Sequence, residues 1–370
     1  MAENRLPETE RGSTAVGYDP FVRGRLPVAV RTIQAIDTAR NRVFPCEIWY
    51  PAAAQHAGQD LAPGTRDVFT VLSRDTPRSQ MAVRNAAARP GTYPFIVFSH
   101  ASLQHRRSAT YLCTHLTSHG YVVAALDHSE VVAGELARRD GETDEQKTAR
   151  WEAVIANRVP DIRFLLDHLL KGAACGSEIS LDPTRVGIVG HSFGGWTALA
   201  APDVESRIRA VVALAPGGAS QRKPGTLPLK ITFTWGRDIP TLYLVAENDI
   251  ALPLAGMYEL FERTPATKQM VILRRADHFH FMDNVEQEHE AFRKMSFSGE
   301  LAWIPREMRP MAEFCSGEKA HVFVRGLTLC HMDAMLRRQE EAQRFLLGDI
   351  EAELARQGIE VIVANEVQRG

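Results

Sequence analysis

The chain has 370 residues, 45% of them hydrophobic, and its 43 Lys+Arg against 45 Asp+Glu leave a formal net charge of −2. That length allows a large buried core or two average domains. So balanced a charge provides no basic face for phosphates, and nucleic acid is not an expected partner.

The opening MAENRLPETERGSTAVGYDP carries acids and arginines where a secretory signal needs an apolar run, so a cytoplasmic location is expected. From residue 28 onward, β-rich runs alternate with helical stretches. Predicted strands are 28–36, 43–50, 95–99, 121–126, 186–189, 210–214, 241–245 and 269–273, and predicted helices are 108–118, 151–170, 192–201 and 254–263. The runs FIVF, YVVAAL, VGIV, AVVAL and LYLV are apolar throughout, as in strands covered on both faces. The expected fold class is α/β, a mostly parallel sheet of about eight strands flanked by helices. The mixed-charge stretch 130–150 reads as a solvated loop and helix face, and the Gly/Pro-rich stretch 217–230 as a long loop at a pocket rim. Residues 319–354 read as amphipathic helices whose role stays open between closing the domain, forming a lid and making a homodimer contact. No apolar run approaches a membrane span. Cys46, Cys113, Cys175, Cys315 and Cys330 are odd in number and lack ligand spacing, so neither a disulfide framework nor a zinc site is expected.

The motif that bears chemistry is Gly190-His191-Ser192-Phe193-Gly194-Gly195, placed between VGIV and WTALA. A nucleophile elbow needs small residues two before and two after its serine, because the turn is tight and crowded. Serine also needs a histidine base and an acid, which follow in that fold in the order Ser, Asp/Glu, His. Asp249, a short turn after the strand TLYLV, is the preferred acid over Glu247. His278 is the preferred base over His280, which packs or caps between Phe279 and Phe281. A His278/His280 metal chelate lacks a third ligand, and no metal or cofactor is expected. The oxyanion-hole donors are the backbone N–H of Phe193 and that of Ser102 or its neighbour Ala101, in the loop after the third predicted strand.

These segments together resemble the α/β-hydrolase superfamily, in its dienelactone-hydrolase-like and platelet-activating-factor acetylhydrolase-like esterase branch. The likeness runs through VAVRTIQAIDTARNRVFPCEIWYP, YPFIVFSHASLQ with LTSHGYVVAALDHSE, VGIVGHSFGGWTA and YLVAENDIALP with RRADHFHFMD. It implies Ser192 as nucleophile, His278 as base, and Ser102 and Phe193 as oxyanion donors. His100-Ala101 stands where relatives have His-Gly. Mammalian acetylhydrolases place the acid after the sixth strand, where this chain has Ala213-Leu214-Ala215-Pro216 and no carboxylate; Asp249, after the seventh, resembles bacterial esterases and polyester hydrolases.

The expected organisation is a polar arm at 1–27, a hydrolase core at 28–290 and a helical extension at 291–370 packed on the core as a lid or pocket wall. The expected activity is cleavage of small to medium hydrophobic carboxylic esters, aromatic or phthalate-like, through an acyl-enzyme. Acyl transfer, amide or lactone hydrolysis with the same triad, or a non-catalytic binding role on this fold, are the alternatives. His191, Trp303, Met308 and Met311 are the candidate pocket residues.

Overall fold

The structure is a computed structural model that describes residues 17–71, 74–172 and 178–364. Most of the polar arm and Cys175 therefore lie outside the described residues. The first strands are β1 (Val28–Asp37), β2 (Arg42–Pro51), β3 (Val68–Val71), β4 (Arg74–Ser79), β5 (Val83–Arg84) and β6 (Gly91–Ser99). Next come α1 (Thr110–Ser118), β7 (Val122–Leu126), α2 (Ser129–Val132), α3 (Asp144–Lys171), β8 (Ile179–His191), α4 (Phe193–Ala200), β9 (Ile208–Leu214) and β10 (Thr241–Ala246). The rest comprises α5 (Leu254–Arg263), β11 (Lys268–Leu273), α6 (Val285–Arg293), α7 (Ile304–Glu307), α8 (Gly317–Leu336), α9 (Glu340–Leu347), α10 (Ile350–Arg356) and β12 (Val361–Ala364).

Among the described residues one ten-stranded sheet runs β12-β11-β10-β9-β8-β6-β7-β2-β1-β5, beside a separate β3-β4 hairpin. The eight predicted strands form its body. Two short edge strands raise the count: β5, of two residues beside β1, and β12, which runs antiparallel on β11. β12 is a strand inside the stretch read as a helical extension.

The apolar runs are explained by burial on both faces. Along β6, Phe95 and Val97 join one cluster with Leu165, Leu166 and Leu199, while Ile96 and Phe98 join another with Leu112, Phe323 and Leu327. Helices α3, α4 and α5 thus cover one face, and α1 with α8 the other. Phe323 and Leu327 are fully buried, each worth about 1.5–3 kcal/mol over an exposed position. The described cysteines 46, 113, 315 and 330 are free and buried. Among the described residues no helix is long and apolar enough to cross a membrane.

β7 and β8 flank β6 on opposite sides, both parallel to it, so the chain reverses its direction of advance there. The loops at the carboxyl ends of β6 and β8 part at such a switch point, which opens a crevice for ligands.

Candidate active site

Four loops leave the carboxyl ends of β6, β8, β10 and β11, and each carries one part of the site. Ser192 sits between β8 and α4 at φ 58°, ψ −113°, a backbone region that L-residues rarely occupy. The surrounding glycines permit this. A Cβ on Gly190 would stand 2.0 Å from the Gly194 carbonyl oxygen, and one on Gly194 would stand 1.9 Å from that of Ser99. Both obstacles are backbone, which cannot swing aside. Gly194→Ala is therefore expected to cost at least about 3 kcal/mol in chemical denaturation; an unchanged midpoint and activity would show that the turn does not need that approach.

Asp249 follows β10 in a tight turn. Its Oδ1 accepts the N–H of Ala251 at 2.9 Å and of Leu252 at 2.8 Å, leaving Oδ2 2.6 Å from His278 Nδ1. The Asp249 side chain is buried and its partners hold it in one orientation. Burial alone would lower the His278 pKa, but Asp249 outweighs it and the pKa is raised from its ordinary value. Glu247 lies elsewhere, accepting the Arg275 N–H at 2.9 Å and pairing with Arg274.

His280 is fully buried and serves as a cap. Its Nδ1 lies 2.9 Å from Asp277 Oδ1, and its Nε2 lies 3.1 Å from the Cys315 carbonyl. Burial opposes its charge, but Asp277 prevails and pushes its pKa up to about 10. With both ring nitrogens engaged, it has none to share with His278 over a metal.

The loop after β6 is held from behind. The backbone N–H of His128 donates to His100 Nε2 at 3.1 Å, so the neutral ring carries its proton on Nδ1 and donates to the Ala101 carbonyl at 2.8 Å. That carbonyl shares a trans peptide with the Ser102 N–H, which points the opposite way. Among the described residues, no protein acceptor takes the N–H of Ala101 or Ser102. The positive φ of this loop falls not at Ala101 but at Leu103, φ 61° and 93% exposed, at a cost of about 1–3 kcal/mol.

Ser192 and His278 line one cavity of about 490 Å³, together with Ala101, Ser102 and His191. Its wall is apolar, built by Phe279, Met282, Phe292, Met295, Ile304 and Met308, and an Arg78–Glu288 ion pair bridges the hairpin to α6 beside it. His191 is buried with its ring centroid 4.8 Å from that of His278, and burial drives its pKa well below the usual value, so it stays neutral.

Of the four predicted pocket residues, His191 and Met308 line this cavity, whereas Trp303 and Met311 do not. The Trp303 indole N–H donates to the Pro224 carbonyl at 3.2 Å and its ring lies under Lys223, which turns it away. Met311 opens a short 3-10 turn pinned by its N–H to Glu290 and is absent from the cavity lining. Residues 217–230 are likewise absent from the lining, since they pack against Trp303 and Glu307. Phe292, which the sequence reading missed, is held by ring contacts to Phe279 at 5.1 Å and Phe297 at 4.9 Å. Its signal was the apolar face that α6 presents among acids, with Val285, His289 and Phe292 at helical spacing.

A solved ferulic acid esterase from Streptomyces cinnamoneus superposes with a TM-score of 0.58 over 85% of this chain and 92% of its own, at 23% identity. The chain has the α/β-hydrolase fold. A chlorophyllase family model matches residues 65–236, which include the elbow and end before Asp249. Guinea-pig platelet-activating factor acetylhydrolase is 26% identical over 324 residues, 73% of this chain and 70% of the relative. The chicken protein of that name is 26% identical over 217 residues, 45% of this chain and 51% of its own. Cutinase est1 of Thermobifida alba is 24% identical over 197 residues, 52% of this chain and 55% of its own. The chain thus spans about half the length of the chicken and Thermobifida relatives.

Proposed function

We propose that the chain is a serine hydrolase of carboxylic esters, with Ser192 as nucleophile, His278 as general base and Asp249 as the acid that orients it. The observation that carries this reading is the 2.6 Å His278–Asp249 bond beside a serine held at φ 58° in the same cavity. His278 takes the Ser192 proton as the oxygen attacks the carbonyl, and Asp249 stabilises the imidazolium that forms. The N–H groups of Phe193 and Ser102 receive the oxyanion, favoured by the amino terminus of α4. The protonated His278 then returns its proton to the leaving alcohol, and water releases the acyl group by the same route.

The apolar wall favours a small to medium hydrophobic ester, in keeping with relatives named for acetylhydrolase, cutinase and ferulic acid esterase activity. A near-neutral surface suits an uncharged substrate. The test is a chain-length panel of p-nitrophenyl esters, with Ser192→Ala as the blank. Activity is expected to peak at a short to medium acyl chain, and equal rates in the blank would refute the reading. Phe292→Ala, which removes a ring from the wall, should shift the optimum toward longer chains with about 3–10-fold changes in relative kcat/KM. An unmoved optimum would show that the acyl group lies elsewhere.

A further inference from the structure

We propose that Arg158 is a positioning residue for the oxyanion hole, holding both donor arms from behind with one buried guanidinium; the inference rests on the serine-hydrolase reading above. Arg158 lies on α3 and is 0% exposed. Its Nη1 donates to the His100 carbonyl at 2.7 Å, and its Cζ lies 4.0 Å from the centroid of the Phe193 ring. The His100 carbonyl belongs to the peptide that leads into Ala101 and Ser102, the first arm. Phe193 carries the donor of the second. The two arms come from the loop after β6 and the start of α4, and this one side chain touches both.

A cation in this place is not what packing alone would select. The buried side of α3 is Val154, Arg158, Asp161, Ile162, Leu165, Leu166 and Leu169, an otherwise largely apolar stripe that a leucine would complete. Burying a guanidinium costs several kcal/mol before its partners offset it, and an apolar substitute is often no less stable. Here the partners are Glu130, paired to Nη2, and the His100 carbonyl, with Asp161 adding its field. A planar guanidinium donates within its plane while its face lies against a ring, a pair of tasks an ammonium cannot combine. The arrangement fixes the His100–Ala101 peptide and the Phe193 side chain relative to each other before substrate arrives, which is what preorganised oxyanion binding requires.

The experiment compares the parent with Arg158→Lys and Arg158→Gln, counting active sites with a fluorophosphonate so that rates refer to folded, reactive enzyme. On an aryl ester, kcat per titrated site is expected to fall about 10–100-fold in both variants while KM stays within about twofold. The Ki of an arylboronic acid, whose serine adduct places a negative oxygen in the hole, should rise in parallel. Should Arg158→Gln fail to fold, Arg158→Lys carries the test. A kcat within about twofold of the parent, full restoration by lysine, or a change confined to KM would overturn the inference. A parent without Ser192-dependent turnover would instead remove the hydrolase reading and this inference with it.

Discussion

Ser192→Ala is expected to lower kcat/KM on any ester the enzyme cleaves by about four to six powers of ten, with the thermal transition unchanged within a few degrees. The size follows from the loss of covalent catalysis as a whole. Without the hydroxyl, His278 has no proton to take and the oxyanion donors have no tetrahedral adduct to hold. For the same reason the effects within the triad should not add: Ser192→Ala combined with His278→Ala is expected to be no worse than the more damaging single change. Retention of a tenth of the parent rate in Ser192→Ala would mean that another group performs the chemistry.

Asp249→Asn is the second large effect, about three to four powers of ten in kcat at neutral pH. An amide in the place of Oδ2 either donates where the imidazole must donate or forces the other tautomer, so His278 no longer presents a free nitrogen to the serine. The pH profile separates this from simple misfolding. His278 acts as a base only when neutral, so activity rises with pH through its pKa. In the parent, Asp249 overcomes the effect of burial and raises that pKa, which sets the acid limb above the ordinary histidine value near 6.5. With asparagine the carboxylate's attraction disappears and burial remains, so the limb of the residual activity should move to lower pH. A limb that stays in place would show that Asp249 does not face the ionising group. Glu247→Gln should leave both rate and limb close to those of the parent, since its carboxylate serves Arg274 and the Arg275 N–H.

The positions that were legible in the sequence are those where local chemistry and position along the chain coincide. Gly190 and Gly194 flank a serine between an apolar run and a helix, and the structure places backbone atoms about 2 Å from where their side chains would start. Strands such as β6 announce themselves because both faces are covered, so nothing polar interrupts them. Asp249 and His278 were visible because each follows a buried strand by a short turn. Facing was not visible. Trp303 and Met308 are equally apolar residues five positions apart, yet only Met308 borders the cavity, because a hydrogen bond to Pro224 turns the indole outward. β5 and β12 are too short to carry a pattern and exist because an edge strand was there to pair with. The left-handed residue of the loop after β6 is Leu103, and leucine has no local propensity for that region that a sequence could show. Arg158 itself was masked by the leucines around it. It occupies a core position of a helix recognised from Leu165, Leu166 and Leu169, and a charged residue in an apolar stripe was the available signal.

Peptide mass spectrometry after reaction with a fluorophosphonate, with residual ester hydrolysis followed in the same samples, tests directly whether Ser192 is the nucleophile. One label per chain is expected, on the peptide that contains Ser192, with activity lost in proportion to labelling and no label on Ser192→Ala. Full labelling with activity retained, inactivation with the label on another residue, or an active enzyme that takes no label would contradict it.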